Sequence, residues 1–167
     1  MTARPGFHLA ELNVGRLLAP TDDPRVAEFM AALDKVNGLG KRMPGFVWMM
    51  EGSGEPGTGN TEAKIEGDPQ FVSNLTVWES VETMEHFVWN TVHRAFYERR
   101  AEWFEVLGKM HFVMWWVPAG HRPMLDEALE RLAHLQANGD SDHAFGWSYL
   151  KDARLWKDHG CARMAAE

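Results

Sequence analysis

The chain has 167 residues, 45% of them apolar, and a formal net charge of −7. That length buries a sizeable core, and eight Trp and nine Phe exclude a globally disordered polymer. The acidic balance, with no basic run longer than Arg99-Arg100, argues against nucleic acid as a partner, and no stretch is long and apolar enough to cross a membrane.

The lone cysteine, Cys161, has no intrachain disulfide partner, and the first residues lack a basic start followed by an apolar run. Both features lead to the expectation of a cytoplasmic protein. Residues 7–17, FHLAELNVGRL, read as a first strand. Alternation puts His8, Ala10, Leu12 and Val14 on one face, expected under helices, and Leu9, Glu11 and Asn13 on the other. In DDPRVAEFMAALDKVNG, Asp23 is a cap, Pro24 fits a first turn, and Gly38 is the expected stop of an amphipathic helix. PGFVWMMEG supplies a short second strand over 46–50, and the Gly-, Thr- and Glu-rich stretch from Gly52 to Pro69 reads as an exposed hairpin connection.

FVSNLTVWES gives a third strand, with Val72, Asn74, Thr76 and Trp78 on one face. Ser80 caps what reads as one helix running from residue 81 to Gly108, about 26 residues and roughly 39 Å long. HFVMWWVPAGHRP is the fourth strand; neighbouring residues point to opposite sides, so Trp115 and Trp116 serve different faces. RPMLDEALERLAHLQANG is a further helix, HAFGWSYL a short fifth strand, and 151–167 a polar tail after a domain spanning 1–150.

The order β-α-β-β-α-β with an added helix and strand predicts an α+β, ferredoxin-like sheet. Its two helices cover one face. The other, carrying Leu9, Asn13, Trp78 and one of the paired tryptophans, is expected to be open and to meet a second copy in a homodimer.

The strings TVWES, HRAFYERRAEWF and MWWVPAGHRP, followed by LDEALERLAHLQANG, resemble an uncharacterised bacterial family, the domain of unknown function 3291. That family is grouped with the dimeric α+β barrels, which include antibiotic-biosynthesis monooxygenases and haem-degrading monooxygenases. The resemblance implies a ferredoxin-like protomer whose dimer encloses a barrel cavity. In the haem-degrading branch the site uses an Asn on the first strand, which Asn13 matches, and a Trp and a His on the long helix. Those two positions fall here at Phe87, near Trp89, and near Tyr97, with His93 one turn earlier.

The residues also point to chemistry by themselves. On the long helix Trp89, His93, Tyr97 and Arg100 share a stripe that mixes aromatic, ionisable and basic groups, as the end of a cavity does. His93 and Tyr97 form a candidate proton shuttle, and Arg100 a fork for a carboxylate or enolate oxygen. Glu11 on an inward strand position needs a partner, Arg16 or Arg100, or serves as a base. Asn13, Asn74, Trp78, Trp115, Trp116 and His121 complete the candidate substrate-binding set. No metal-ligating motif is present, and nothing demands a cofactor, with haem the alternative ligand. Two functions therefore stand side by side. One is a monooxygenase-like or isomerase-like enzyme, cofactor-independent, acting on an apolar aromatic substrate. The other is a non-catalytic dimer that binds haem or another flat ligand.

Overall fold

The computed structural model describes residues 3–52, 60–61, 65–151, 153 and 155. Four strands, β1 (Phe7–Arg16), β2 (Phe46–Met49), β3 (Phe71–Trp78) and β4 (Phe112–Pro118), form one antiparallel sheet in the order β2-β3-β1-β4. Among the described residues four helices accompany it: α1 (Ala27–Gly40), α2 (Val81–Asn90), α3 (Val92–Glu98) and α4 (Leu125–Asn138). The fold is α+β.

Cross-strand register assigns the faces, because residues directly opposite in an antiparallel pair point the same way. Leu9 faces Trp78 and Trp116, Glu11 faces Thr76 and Met114, and Asn13 faces Asn74 and Phe112. Ala10 faces Val77 and Trp115, and Leu12 faces Leu75 and Val113. Trp115 and Trp116 thus separate as strand geometry requires, Trp115 fully buried on the second face and Trp116 half-buried on the first.

The expected sidedness is reversed. The Leu9–Glu11–Asn13 face is not open: Leu9 and Trp78 pack in one cluster with Met84, Phe87, Val88 and Trp89 of α2, and α1 adds Val36 and Leu39. The opposite face, through Ala10, Leu12, Leu75, Val77 and Trp115, packs on Ala128, Leu132 and Leu135 of α4. The added C-terminal helix carries its own apolar stripe, and the uncovered sheet face is where that stripe can be buried. Helices therefore lie on both sides of the sheet.

The long helix expected from 81 onward is broken. Ser80 does cap α2, in a box with Thr83. At Thr91, however, the backbone is extended, with φ −125° and ψ −175°. The Thr91 hydroxyl donates to Phe87 O at 2.6 Å and accepts from His93 N at 3.2 Å. One side chain thus closes α2 and caps α3, as a threonine competing with its own backbone can. After α3 a single tight turn, Arg100–Glu102, replaces the rest of the expected helix.

Smaller differences have local causes. Asp23 caps a short turn, Pro24–Val26, accepting from Arg25 N at 2.9 Å. The helix after it continues past Gly38 to Gly40, where an added Cβ would lie 3.2 Å from the Phe87 ring, so the glycine lets α1 approach α2. In place of a fifth strand, Phe145 makes one bridge to Met114 and a turn follows at Trp147–Tyr149. The segment expected as an exposed hairpin sends Asn60 and Ile65 into the interior. Of the tail, Ala153 is buried and Leu155 packs on the first cluster, while most of 151–167 lies outside the described residues.

Candidate functional site

Between the first sheet face and α1, α2 and α3 lies a cavity of about 360 Å³, near the lower end of the size range of small-molecule pockets. Its floor is polar because the central strands bring Glu11, Asn13, Asn74 and Thr76 to one side of the sheet. Its walls are aromatic because α2 and α3 turn Phe87, Trp89 and Tyr97 inward.

Glu11 is only 4% exposed. Burial away from water disfavours its charged form and pushes its pKa up to about 7, although hydrogen bonds from Thr76 and Asn13 act the other way. Thr76 Oγ1 donates to Glu11 Oε1 at 2.6 Å, and Asn13 Nδ2 reaches Oε2 at 3.3 Å. Trp78 Nε1 donates to Thr76 Oγ1 at 2.9 Å. An indole nitrogen can only donate, so the Thr76 oxygen accepts there and its single proton is directed at Glu11. Oε1 is thereby held as an acceptor, and the carboxyl gains or loses its proton at Oε2. The arginine partners expected for Glu11 are used elsewhere: Arg16 pairs with Asp68 at 2.7 Å and with Glu105, and Arg100 lies over the Tyr97 ring, 4.6 Å from its centroid.

On the wall, the Trp78 and Phe87 rings stack at 5.3 Å, and Trp89 meets Tyr97 edge-to-face at 5.2 Å. His93 packs its ring 5.0 Å from Phe87 and sets Nδ1 3.4 Å from Val88 O. A carbonyl oxygen only accepts, so Nδ1 carries the proton and Nε2 keeps its lone pair. Desolvation lowers the His93 pKa to about 4, so the ring is neutral near pH 7. At the rim, Gly15 leaves room for Phe104: a Cβ there would sit 2.6 Å from that ring. His111 also lines the rim, its pKa lowered by burial and, less, by the charge of Arg100.

The cavity gathers Glu11, Asn13, Asn74, Trp78, Trp89, His93, Tyr97 and Arg100. Trp115, Trp116 and His121 are not in its lining. Trp115 is on the opposite face, where its Nε1 donates to Glu127 Oε1 at 3.0 Å; His121 Nε2 meets the other oxygen of the same carboxylate at 2.7 Å. Glu127 of α4 therefore ties β4 and the loop after it to one helix. Trp116 stays on the cavity face but packs near Phe145, with ring centroids 6.4 Å apart. Asn37, Asn60 and His111 are lining residues that the sequence reading overlooked. Strand alternation shows Thr76 beside Glu11, but nothing in the glycine-rich segment marks Asn60 as buried.

A second polar group, Glu130, His134 and His143, places potential metal-ligating atoms within 4.8 Å of one another. Arg131 Nη1 donates to His143 Nδ1 at 2.6 Å, and His143 Nε2 lies 3.0 Å from both Glu130 oxygens. Nδ1 is then the acceptor and Nε2 the protonated nitrogen, so the cluster satisfies itself and sets an arginine charge where a cation would bind. Among the described residues no helix is long and apolar enough to cross a membrane.

No curated protein matches the chain. A protein of unknown function from Nitrosomonas europaea, NE2512, is similar in structure at a TM-score of 0.44 and 9% identity, over 71% of this chain and 95% of that one. The family model described as Domain of unknown function (DUF3291) matches residues 8–161, and the chain belongs to that family.

Proposed function

We propose that the chain is a small-molecule enzyme that moves a proton within an apolar, aromatic substrate held in the cavity, with Glu11 as the group that takes and returns it. The observation that carries this reading is the buried Glu11 carboxyl in the cavity floor, whose pKa is raised to about 7 and whose hydrogen bonds come from a threonine and an asparagine. A base with a pKa near the working pH is present in both forms and can run proton transfer in either direction. The carboxylate takes a proton from an acidic C–H at Oε2; the carbon's electron pair delocalises into the substrate, and the proton returns to a different carbon. That is an isomerisation and needs no co-reactant. The same carbanion, met by dioxygen, would be the start of a cofactor-independent oxidation of the monooxygenase type.

His93, Tyr97 and Arg100 take other roles in this reading. Neutral His93 offers a lone pair at Nε2 rather than an acidic proton, while Tyr97 and Arg100 shape the outer wall. Support for a ferredoxin-like protomer comes from the element order together with the strand order β2-β3-β1-β4. Barrel-type homodimerisation is a separate proposal. The solution mass, 19.0 kDa or twice that, decides it. The lone cysteine supports a cytoplasmic setting.

The test is deuterium exchange at the acidic C–H of 2-tetralone, a bicyclic ketone, followed by NMR in heavy water. Wild type should accelerate exchange with an apparent pKa near 7, and Glu11→Gln should lose about a hundredfold or more of that acceleration. Unaltered exchange in Glu11→Gln would sink the reading. Retained ligand affinity with no exchange by either protein would leave a binding module instead.

A further inference from the structure

We propose that the cavity selects a molecule bearing a carbonyl or enol oxygen, and that Asn74 holds this oxygen through its side-chain Nδ2, next to the carboxyl of Glu11. The proposal names a substrate class for the proton-transfer reading and in that sense rests on it, but it depends on different atoms.

The amide of Asn74 is oriented by a chain of hydrogen bonds that begins at the backbone. The side chain of Asn60 lies 2.8 Å from Ser73 O. A carbonyl only accepts, so the Asn60 atom there is the nitrogen Nδ2. Its Oδ1 is left to accept from Asn37 Nδ2, at 2.8 Å. The same Asn60 Nδ2 stands 3.4 Å from the side chain of Asn74, and a donor there calls for an oxygen. Asn74 therefore points Oδ1 at Asn60 and turns its own Nδ2 away. That nitrogen has no hydrogen-bond partner among the described residues, although Asn74 is half-buried in the cavity lining.

Asn13 is oriented just as firmly. Its Nδ2 reaches the Glu11 carboxyl, which leaves its Oδ1 as an acceptor. Asn74 sits directly across from Asn13, and Glu11 lies two residues along the same strand, about 7 Å away. The floor thus offers one donor, one acceptor and one carboxyl in a row. An enolisable carbonyl matches that row: its oxygen takes the Asn74 hydrogen bond and its neighbouring C–H faces Glu11. When the C–H bond breaks, the proton passes to Glu11 Oε2 and the electron pair moves onto the oxygen. The Asn74 hydrogen bond strengthens as that charge grows. Returning the proton to carbon closes the cycle with no oxidant or reductant. A ligand oxygen would take up a donor that no protein group among the described residues uses.

Binding is measured with 2-naphthol, a planar enol, and naphthalene, the same rings without the oxygen, by quenching of tryptophan emission. Wild type should prefer 2-naphthol by about tenfold, the worth of one buried hydrogen bond. Asn74→Asp keeps the oxygen that Asn60 donates to and replaces the Nδ2 donor with an acceptor. With the donor gone the preference should shrink, read as the ratio of the two affinities so that any effect of the substitution common to both rings cancels. Asn60→Ala, which frees the Asn74 amide to rotate, should reduce the preference by a smaller factor; melting curves confirm that both variants fold. Equal affinity for the two probes in wild type, binding of neither, or an unchanged preference in Asn74→Asp overturns the proposal. A 2-naphthol preference that depends on Asn74, without Glu11-dependent exchange, keeps this assignment and removes proton transfer. Exchange that depends on Glu11, without the preference, does the reverse.

Discussion

Glu11 concentrates most of the chemistry in one side chain. Its carboxyl titrates near 4.5 in the unfolded chain and at about 7 in the folded one. A raised acid pKa favours the folded state at low pH, and that advantage is lost as pH climbs from about 4.5 through 7. Glu11→Gln removes the charge that burial penalises. The variant should therefore gain stability at pH 8, by up to about 3 kcal/mol, and gain little at pH 4, as measured by urea unfolding at the two values. No gain at pH 8 would mean that the carboxylate is better solvated than its 4% exposure implies. Thr76 works against the burial of Glu11, so Thr76→Val should move the carboxyl pKa further up, while Thr76→Ser should restore it, read by carbon-13 NMR of labelled glutamate.

At the scale of elements, the break at Thr91 decides how the cavity wall is built. Thr91→Ala removes both the cap of α3 and the bond to Phe87 O, and should cost about 1 kcal/mol in thermal or urea unfolding. The four strands of the sheet, their alternation and α4 were legible from the sequence, through period-two patterns and a leucine stripe bounded by Pro123 and Gly139, whereas the expected fifth strand reduces to a single bridge at Phe145. The break was not, because WNTVHR continues the helical spacing and a mid-helix threonine reads as neutral until its hydroxyl finds the Phe87 carbonyl. Sidedness failed for a different reason. Leu9 and Ala10 are both fully buried, so alternation separates two apolar sets without saying which helices cover each. Of the site, Glu11 and Asn13 could be read from an inward polar pair on a strand. Asn60 could not, since its burial comes from bonds to Asn37 and Ser73, residues distant in sequence.

For the whole molecule, two buried groups set opposing pH dependences. Neutral His93, with its pKa lowered to about 4, costs stability as pH falls from about 6.5 toward 4, when the unfolded chain takes up a proton that the folded one refuses. Glu11 costs stability in the other direction, over about 4.5 to 7. Between about 4.5 and 6.5 the two oppose each other, while His111, its pKa also lowered by burial, adds to the His93 direction. Glu11→Gln removes the opposing carboxyl and leaves the His93 and His111 slopes, so its stability should rise with pH across that window more steeply than that of wild type. A flat profile in the variant would place the titrations of both histidines outside the window.

The polar row of Glu11, Asn13, Asn74 and Thr76 sits on β1 and β3, paired strands flanked by β2 and β4, while the aromatic walls stand on helices. The two halves of the site are therefore separable by substitution. Exchanging Phe87, Trp89 or Tyr97 alters the outline offered to a ring system without disturbing a backbone ladder that many hydrogen bonds hold in register. A lineage could retarget such a pocket to new molecules by changing helix faces alone, keeping one reactive floor through successive specificities.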